Sequence, residues 1–175
     1  IEWQSRDRFV SKEANSSRVN YIPLFVGISQ SGDSYPTDQI LSELTPLPSQ
    51  MAIGATWNTD YAQEAGKILG QELSSLGFNM VFGPSLDVIE NPYGEGKGYL
   101  GVRTFGGDPF WVGEFSRAYI YGLHAGSDKR LAVIAKNFPG RGSSDRLPDE
   151  EVATVRKSIE QLKLIELAPF FAVTD

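Results

Sequence analysis

Asp87, Arg103, Lys136 and Asn137 are the side chains in this sequence best placed to do chemistry on a polar ligand. A lysine and an arginine converging with a carboxylate can bind a polyhydroxylated or anionic molecule through several hydrogen bonds, and an asparagine adds both a donor and an acceptor. The same four residues would serve equally well as a structural ion-pair network. Other chemistries are narrowed by composition. The chain has no cysteine and one histidine, His124, which excludes thiolate nucleophiles, cysteine metal sites and multi-histidine clusters, so no metal or cofactor is expected. His124 falls late in a helical segment and reads as a capping or partly buried side chain. Gly96 to Gly101 spells a dinucleotide fingerprint, but about a dozen residues separate it from the nearest strand and no helix follows directly, so the mechanism behind that motif is missing. The match Asn15-Ser16-Ser17 to a glycosylation sequon carries little weight.

Each of the four candidates follows a short apolar run. Ile22 to Ile28, Asn79 to Phe82 and Leu131 to Ala135 have the continuous apolar character of strands buried on both faces, as in a parallel sheet. Each run leads, after a loop, to a segment of helical period. Ala62, Ala65, Leu69, Leu73 and Leu76 form the first stripe, with Asn58 or Asp60 as cap and Gly77 at the stop. The second starts at Asp108-Pro109, carries Val112, Phe115, Tyr119 and Leu123, and ends at Gly126. The third follows Pro148 with an acidic first turn and the stripe Val152, Val155, Ile159, Leu162 and Ile165.

Repeated βα units predict a parallel α/β sheet, doubly wound or closed as a barrel. The long loops, Ser29 to Tyr35, Gly83 to Gly107 and Asn137 to Pro148, all follow strands. That is the end at which either architecture places its site. Sixteen Lys and Arg against twenty-two Asp and Glu give a net charge of −6, which disfavours nucleic acid as a partner. No apolar stretch approaches the roughly 20 residues of a membrane span, and nothing resembles a signal peptide. The lack of cysteine fits a cytoplasmic or a secreted protein equally well.

Three ordered motifs carry a family resemblance: Asn79-Met-Val-Phe-Gly-Pro-Ser-Leu-Asp-Val88, Arg103-Thr-Phe-Gly-Gly-Asp-Pro109 and Ala135-Lys-Asn-Phe-Pro-Gly-Arg-Gly142. Together they resemble the N-terminal barrel of family 3 glycoside hydrolases, nearest to the bacterial β-N-acetylhexosaminidases, over about Pro23 to Phe170. The resemblance implies a TIM-type (β/α)8 barrel. It also implies hydrolysis of terminal β-linked sugars, N-acetylglucosaminides or glucosides, by the retaining mechanism. Arg103 and Lys136 would correspond to the family's sugar-binding arginine and lysine, with Asn137 and Asp87 beside them.

Departures from the family pattern touch the chemistry directly. Lys-His becomes Lys136-Asn137, and Asp-Gln-Glu-Gly-Gly becomes Ser29-Gln30-Ser31-Gly32-Asp33, leaving Asp33 as the carboxylate that could reach the same space. The loop that supplies the family's acid/base histidine reads Gly140 to Pro148 here without histidine, and Asp145 is its remaining carboxylate and the acid/base candidate. The nucleophile is expected outside this chain. A degenerate, non-catalytic carbohydrate-binding or structural barrel is the alternative.

A closed barrel takes about 250 residues. The chain begins at Ile1 and stops at Asp175 after an apolar run, so both ends are expected to be cut. We expect a partial barrel domain over residues 1–175, with three to four βα units and an irregular leader over 1–20. Such a fragment is not expected to be active alone. It should be marginal, associating with the rest of its barrel or with itself through exposed edges.

Overall fold

The computed structural model describes residues 24–31, 38–90, 100–142, 144, 152 and 154–174. The leader, Asp33, most of the glycine fingerprint, Asp145 and the acidic turn after Pro148 lie outside the described residues. Three strands, β1 (Gly27–Ile28), β2 (Met80–Ser85) and β3 (Ala132–Lys136), form one parallel sheet in the order β1-β2-β3. Ile28 lies opposite Val81, and Val81 opposite Val133; the register shifts between Phe82 and Ser85, so that Ser85 pairs with Lys136. β2 runs to Ser85, three residues beyond the apolar run that announces it.

Among the described residues, five helices connect and follow these strands: α1 (Gln50–Gly54), α2 (Thr59–Ser75), α3 (Pro109–Gly126), α4 (Ile159–Leu164) and α5 (Ala168–Thr174). Helix α2 starts where the Asn58 side chain accepts from the Asp60 N–H at 2.9 Å, and it stops before Gly77, whose φ of +91° only glycine adopts freely. Helix α3 is capped by Asp108, which accepts from the Trp111 N–H at 3.1 Å, and Pro109 fills the first turn. Its last turn holds His124, half-buried. Between β1 and α2 the short helix α1, capped by Ser49, has too few residues to show a period in the sequence.

The core lies between the sheet and α2 and α3. Ile28 and Val81 meet Leu69, Leu73, Val112, Phe115, Tyr119 and Leu123, all buried. Helices α2 and α3 approach until backbones touch: a Cβ on Gly66 would stand 2.1 Å from the Tyr119 carbonyl oxygen, and one on Gly122 would stand 2.0 Å from that of Gln63. Leu76, expected in the apolar stripe of α2, is instead exposed past the last helical turn.

Within this chain the face of the strands toward α2 and α3 is covered, and Phe82 and Ile134 pair on the opposite face, where no described element lies over them. One further expectation is corrected: the third helical stripe is broken. Residues 154–158 are not helical, and Val152 and Ile159 are exposed. Helix α4 begins only at Ser158, whose hydroxyl accepts from the Gln161 N–H while the Gln161 side chain accepts from the Ser158 N–H. This reciprocal capping satisfies donors that a longer helix would leave inside. Pro169 then opens α5 rather than closing the helix before it. No helix among the described residues is long and apolar enough to cross a membrane.

Candidate functional site at the strand ends

The carboxyl ends of β2 and β3 are joined through one buried carboxylate. Asp87 is 0% exposed. Its Oδ2 accepts from the Ser85 hydroxyl at 2.7 Å and from Asn137 Nδ2 at 2.5 Å, and its Oδ1 accepts from the Arg141 N–H at 2.7 Å. Three donors thus compensate the cost of taking the carboxylate out of water. The Thr104 hydroxyl donates to the Asp87 carbonyl oxygen, and the Leu86 N–H donates to the Lys136 carbonyl at 2.5 Å. Asp87 therefore fixes Asn137, the turn beyond it, and the residue after Arg103.

Lys136 alternates with Ile134 along β3, so its side chain stands on the sheet face away from α2 and α3, where its Nζ donates to Ser29 Oγ at 3.2 Å. Ser29 follows β1, and its N–H donates to Gln39 Oε1 at 2.8 Å. The neighbouring Gln30 is buried and makes a two-bond clasp with Ile40, donating to its carbonyl at 2.9 Å and accepting from its N–H at 3.0 Å. Asp38, also buried, accepts from the Ser31 N–H at 2.5 Å, and the Tyr119 hydroxyl donates to the Ser31 carbonyl at 3.3 Å. Arg103 lies in the loop before α3; its Nε and its N–H both donate to the Leu100 carbonyl, at 2.9 and 3.3 Å. One of its five donors is spent inside the loop this way.

The four expected residues within the described chain thus divide into two kinds. Asp87 and Asn137 are bonded to each other, and Lys136 and Arg103 are half-buried cations on the elements that Asp87 ties together. Both peptide bonds flanking this turn, Lys136-Asn137 and Phe138-Pro139, are cis. The turn itself is pressed against the segment that follows β2: a Cβ on Gly142 would lie 1.8 Å from the Val88 carbonyl oxygen.

A second buried group of charges braces the same turn from outside. Lys157 Nζ contacts Glu90 Oε2 and lies 2.8 Å from Glu166 Oε1, and Glu166 is 0% exposed. Burial alone would lower the Lys157 pKa, but the hydrogen bonds to Glu166 and Glu90 and their charges overcome it and hold it above the usual lysine value. Gly140 sits on this group with φ +124°, and a Cβ there would come within 2.6 Å of Glu166 Oε2.

Sequence reading missed Ser85, Thr104, Arg141, Asp38 and the Lys157–Glu166 pair. Capping and period arguments see contacts within an element, whereas these lie in or between the loops that leave the strands and helices. The signal that was available was the glycine pair Gly140 and Gly142, which marks a turn that backbone or carboxylate approaches closely.

Residues 3–175 match the family model described as Glycosyl hydrolase family 3 N terminal domain. The chain is 32% identical over 128 residues to a Beta-N-acetylglucosaminidase/beta-glucosidase of Cellulomonas fimi, covering 71% of this chain and 21% of that protein. To a Beta-hexosaminidase of Xylella fastidiosa (strain 9a5c) it is 28% identical over 174 residues, 96% of this chain and 49% of that one. Among solved structures, a glycoside hydrolase family 3 beta-N-acetylglucosaminidase from Paenibacillus sp. str. FPU-7 superposes with a TM-score of 0.76 at 34% identity, over 87% of this chain and 27% of that one. The chain spans about half or less of the length of each of these relatives.

Proposed function

The chain belongs to the glycosyl hydrolase family 3 N-terminal domains, its three parallel strands being part of that TIM-type barrel, and from this premise we propose that the protein hydrolyses terminal β-linked N-acetylglucosaminides or glucosides. The observation that carries the reading is the placement of Lys136 and Arg103 on elements bound together by Asp87, at the end of the sheet where barrels work.

In this reading the ammonium of Lys136 and the guanidinium of Arg103 donate to sugar hydroxyls and hold the ring in the geometry from which the glycosidic bond breaks. Asn137 adds a neutral donor and acceptor. Asp87, with every oxygen engaged and no exposed surface, holds these groups rather than touching sugar. Asp33 is a further sugar ligand and Asp145 the acid/base, both outside the described residues. The mechanism is retaining. A carboxylate contributed from outside this chain forms the glycosyl-enzyme, and the acid/base first protonates the leaving oxygen and then activates water.

The test is nitrophenol release from β-N-acetylglucosaminide and β-glucoside substrates by the full-length protein, with Lys136→Ala and Asp145→Asn beside it. Turnover by the wild type that both substitutions abolish supports the reading; turnover unaffected by Asp145→Asn removes that residue from the mechanism. One observation favours a second reading, a non-hydrolytic sugar-binding barrel: the residue after Lys136 is the neutral Asn137, whose amide is already bonded to Asp87. No turnover together with retained binding of the same sugars selects that alternative.

A further inference from the structure

Two carboxylates hold the turn that leaves β3, one from each side. Asp87 holds it from the strands, through the Asn137 amide and the Arg141 N–H. Glu166 meets it from the helices. A Cβ on Gly140 would stand 2.6 Å from Glu166 Oε2 and 2.7 Å from Glu166 Cβ, so the backbone of the turn lies along the length of that side chain. The Gly140 N–H donates to the Asn137 carbonyl at 2.7 Å, which links this contact to the residue bonded to Asp87. Arg141 adds no hydrogen bond through Nε, which is buried without a partner among the described residues.

Glu166 is itself firmly seated. It lies between α4 and α5 and is fully buried, and the N–H of the next residue, Leu167, donates to the Leu162 carbonyl at 2.8 Å. Helix α5 rests closely on α3, where a Cβ on Gly113 would stand 2.9 Å from that of Ala172. Phe170 of α5 packs edge-on against Phe138 of the same turn, with ring centroids 5.3 Å apart. Lys157 then joins Glu166 to Glu90, in the segment that follows β2. The turn is thus bounded by an element that the core of the chain holds in place.

We propose that Glu166 is a positioning residue for the strand-end site: the length of its side chain sets the seat of the turn over 137–142, and with it the geometry in which Lys136 and Asn137 meet a sugar. This rests on the glycosidase reading above. The carboxylate does two separable things. Its charge holds Lys157 and, through Lys157, Glu90; its length stops Gly140. A buried ion pair adds little net stability over apolar residues of the same volume, and its use here is to fix one geometry. With the stop shortened, the turn settles toward α5 and draws the Asn137 carbonyl with it. A displacement of about 1 Å in groups that contact substrate is enough to cost up to about a hundredfold in rate.

The test compares Glu166→Gln, which keeps the length and loses the charge, with Glu166→Asp, which keeps the charge and loses one methylene, both in the full-length protein. Nitrophenyl glycoside kinetics and amide hydrogen exchange over 137–142 are read at a temperature where each variant is folded, beside its thermal midpoint. Glu166→Gln should lower the midpoint yet lose at most about threefold in kcat/KM, whereas Glu166→Asp should lose about tenfold or more, with faster exchange at the Arg141 N–H. A purely structural role predicts a fall in active fraction that tracks the midpoint in both variants, with KM unchanged. That result, or wild-type kcat/KM in Glu166→Asp, overturns the proposal. If Glu166→Asp does not fold, Gly140→Ala presses a methyl onto the same contact, and unchanged kcat/KM in that variant overturns the proposal. If the wild type releases no nitrophenol, affinity for N-acetylglucosamine is compared instead. Binding weakened in Glu166→Asp and retained in Glu166→Gln keeps the positioning role and rejects hydrolysis; equal binding overturns the proposal. A wild type that neither hydrolyses nor binds these sugars overturns both readings.

Discussion

Asn137 donates to Asp87 at 2.5 Å across fifty residues of sequence, and the residue before it, Lys136, carries the ammonium that stands at the strand ends. The buried carboxylate therefore fixes the turn that begins at the half-buried cation. Asp87→Asn keeps the shape but replaces a charged acceptor with a neutral amide that must direct its NH2 at one of the three donors. We expect a loss of about 2 kcal/mol in stability, since hydrogen bonds to charged groups contribute about 1.5–3 kcal/mol. A fall in kcat/KM of about tenfold to a hundredfold should accompany it, from displacement of Lys136 and Arg103. Denaturant unfolding and nitrophenyl glycoside kinetics measure the two effects; full activity in Asp87→Asn would contradict the positioning role.

Arg103→Lys separates charge from shape. The guanidinium reaches the Leu100 carbonyl through Nε and has four further donors for a ligand, and an ammonium cannot do both. kcat/KM should fall by about a hundredfold, with stability unchanged within about 0.5 kcal/mol. Equal losses of activity and stability would mean the residue only shapes its loop.

Lys157→Met should cost about 3 kcal/mol, because it leaves the fully buried Glu166 without the cation beside it. The pH dependence has a definite sign. Although burial opposes it, contact with Glu166 and Glu90 raises the folded pKa of Lys157 above its ordinary value of 10.5. The stabilisation is therefore complete below that value and is lost as pH rises through the folded pKa. Thermal midpoints taken across the alkaline range should fall more steeply for the wild type than for Lys157→Met; parallel curves would remove the lysine from the account.

Gly142→Ala drives a methyl into the Val88 carbonyl, which would lie 1.8 Å away. The turn must then lift from the segment that follows β2 and carry Arg141 off Asp87. We expect a loss of about 2 kcal/mol and reduced sugar binding, whereas Gly77→Ala, with nothing within 4 Å, should cost about 1 kcal/mol through its positive φ alone. Calorimetric unfolding of the two variants checks the order.

What was legible in the sequence follows from the range of the forces involved. Asn58 with Gly77, and Asp108-Pro109 with Gly126, delimit α2 and α3 because capping is settled within a few residues. That parallel strands alternate with helices, and that Lys136 ends the third strand, was equally readable. The third helix was not, since Val152 to Ile165 keeps an apolar period across a break that the Ser158–Gln161 capping pair decides. Nor was the role of Asp87. A carboxylate at a strand end suggests a ligand, and only the convergence of Ser85, Asn137 and Arg141 on it shows that its oxygens are already taken.

The contact of α2 with α3 through Gly66 and Gly122 has a consequence for how this chain can diverge. Where backbones meet, the gap between two helices does not depend on the volume of the side chains around it. Leu69, Leu73 or Phe115 can be exchanged for other apolar residues without altering the distance between the two helix starts, where Trp57 and Trp111 meet. Substitution at the glycines changes that distance at once. Relatives that keep both glycines should therefore hold the two loops at one fixed spacing however far their cores have drifted, and those that lose either should show a re-spaced rim.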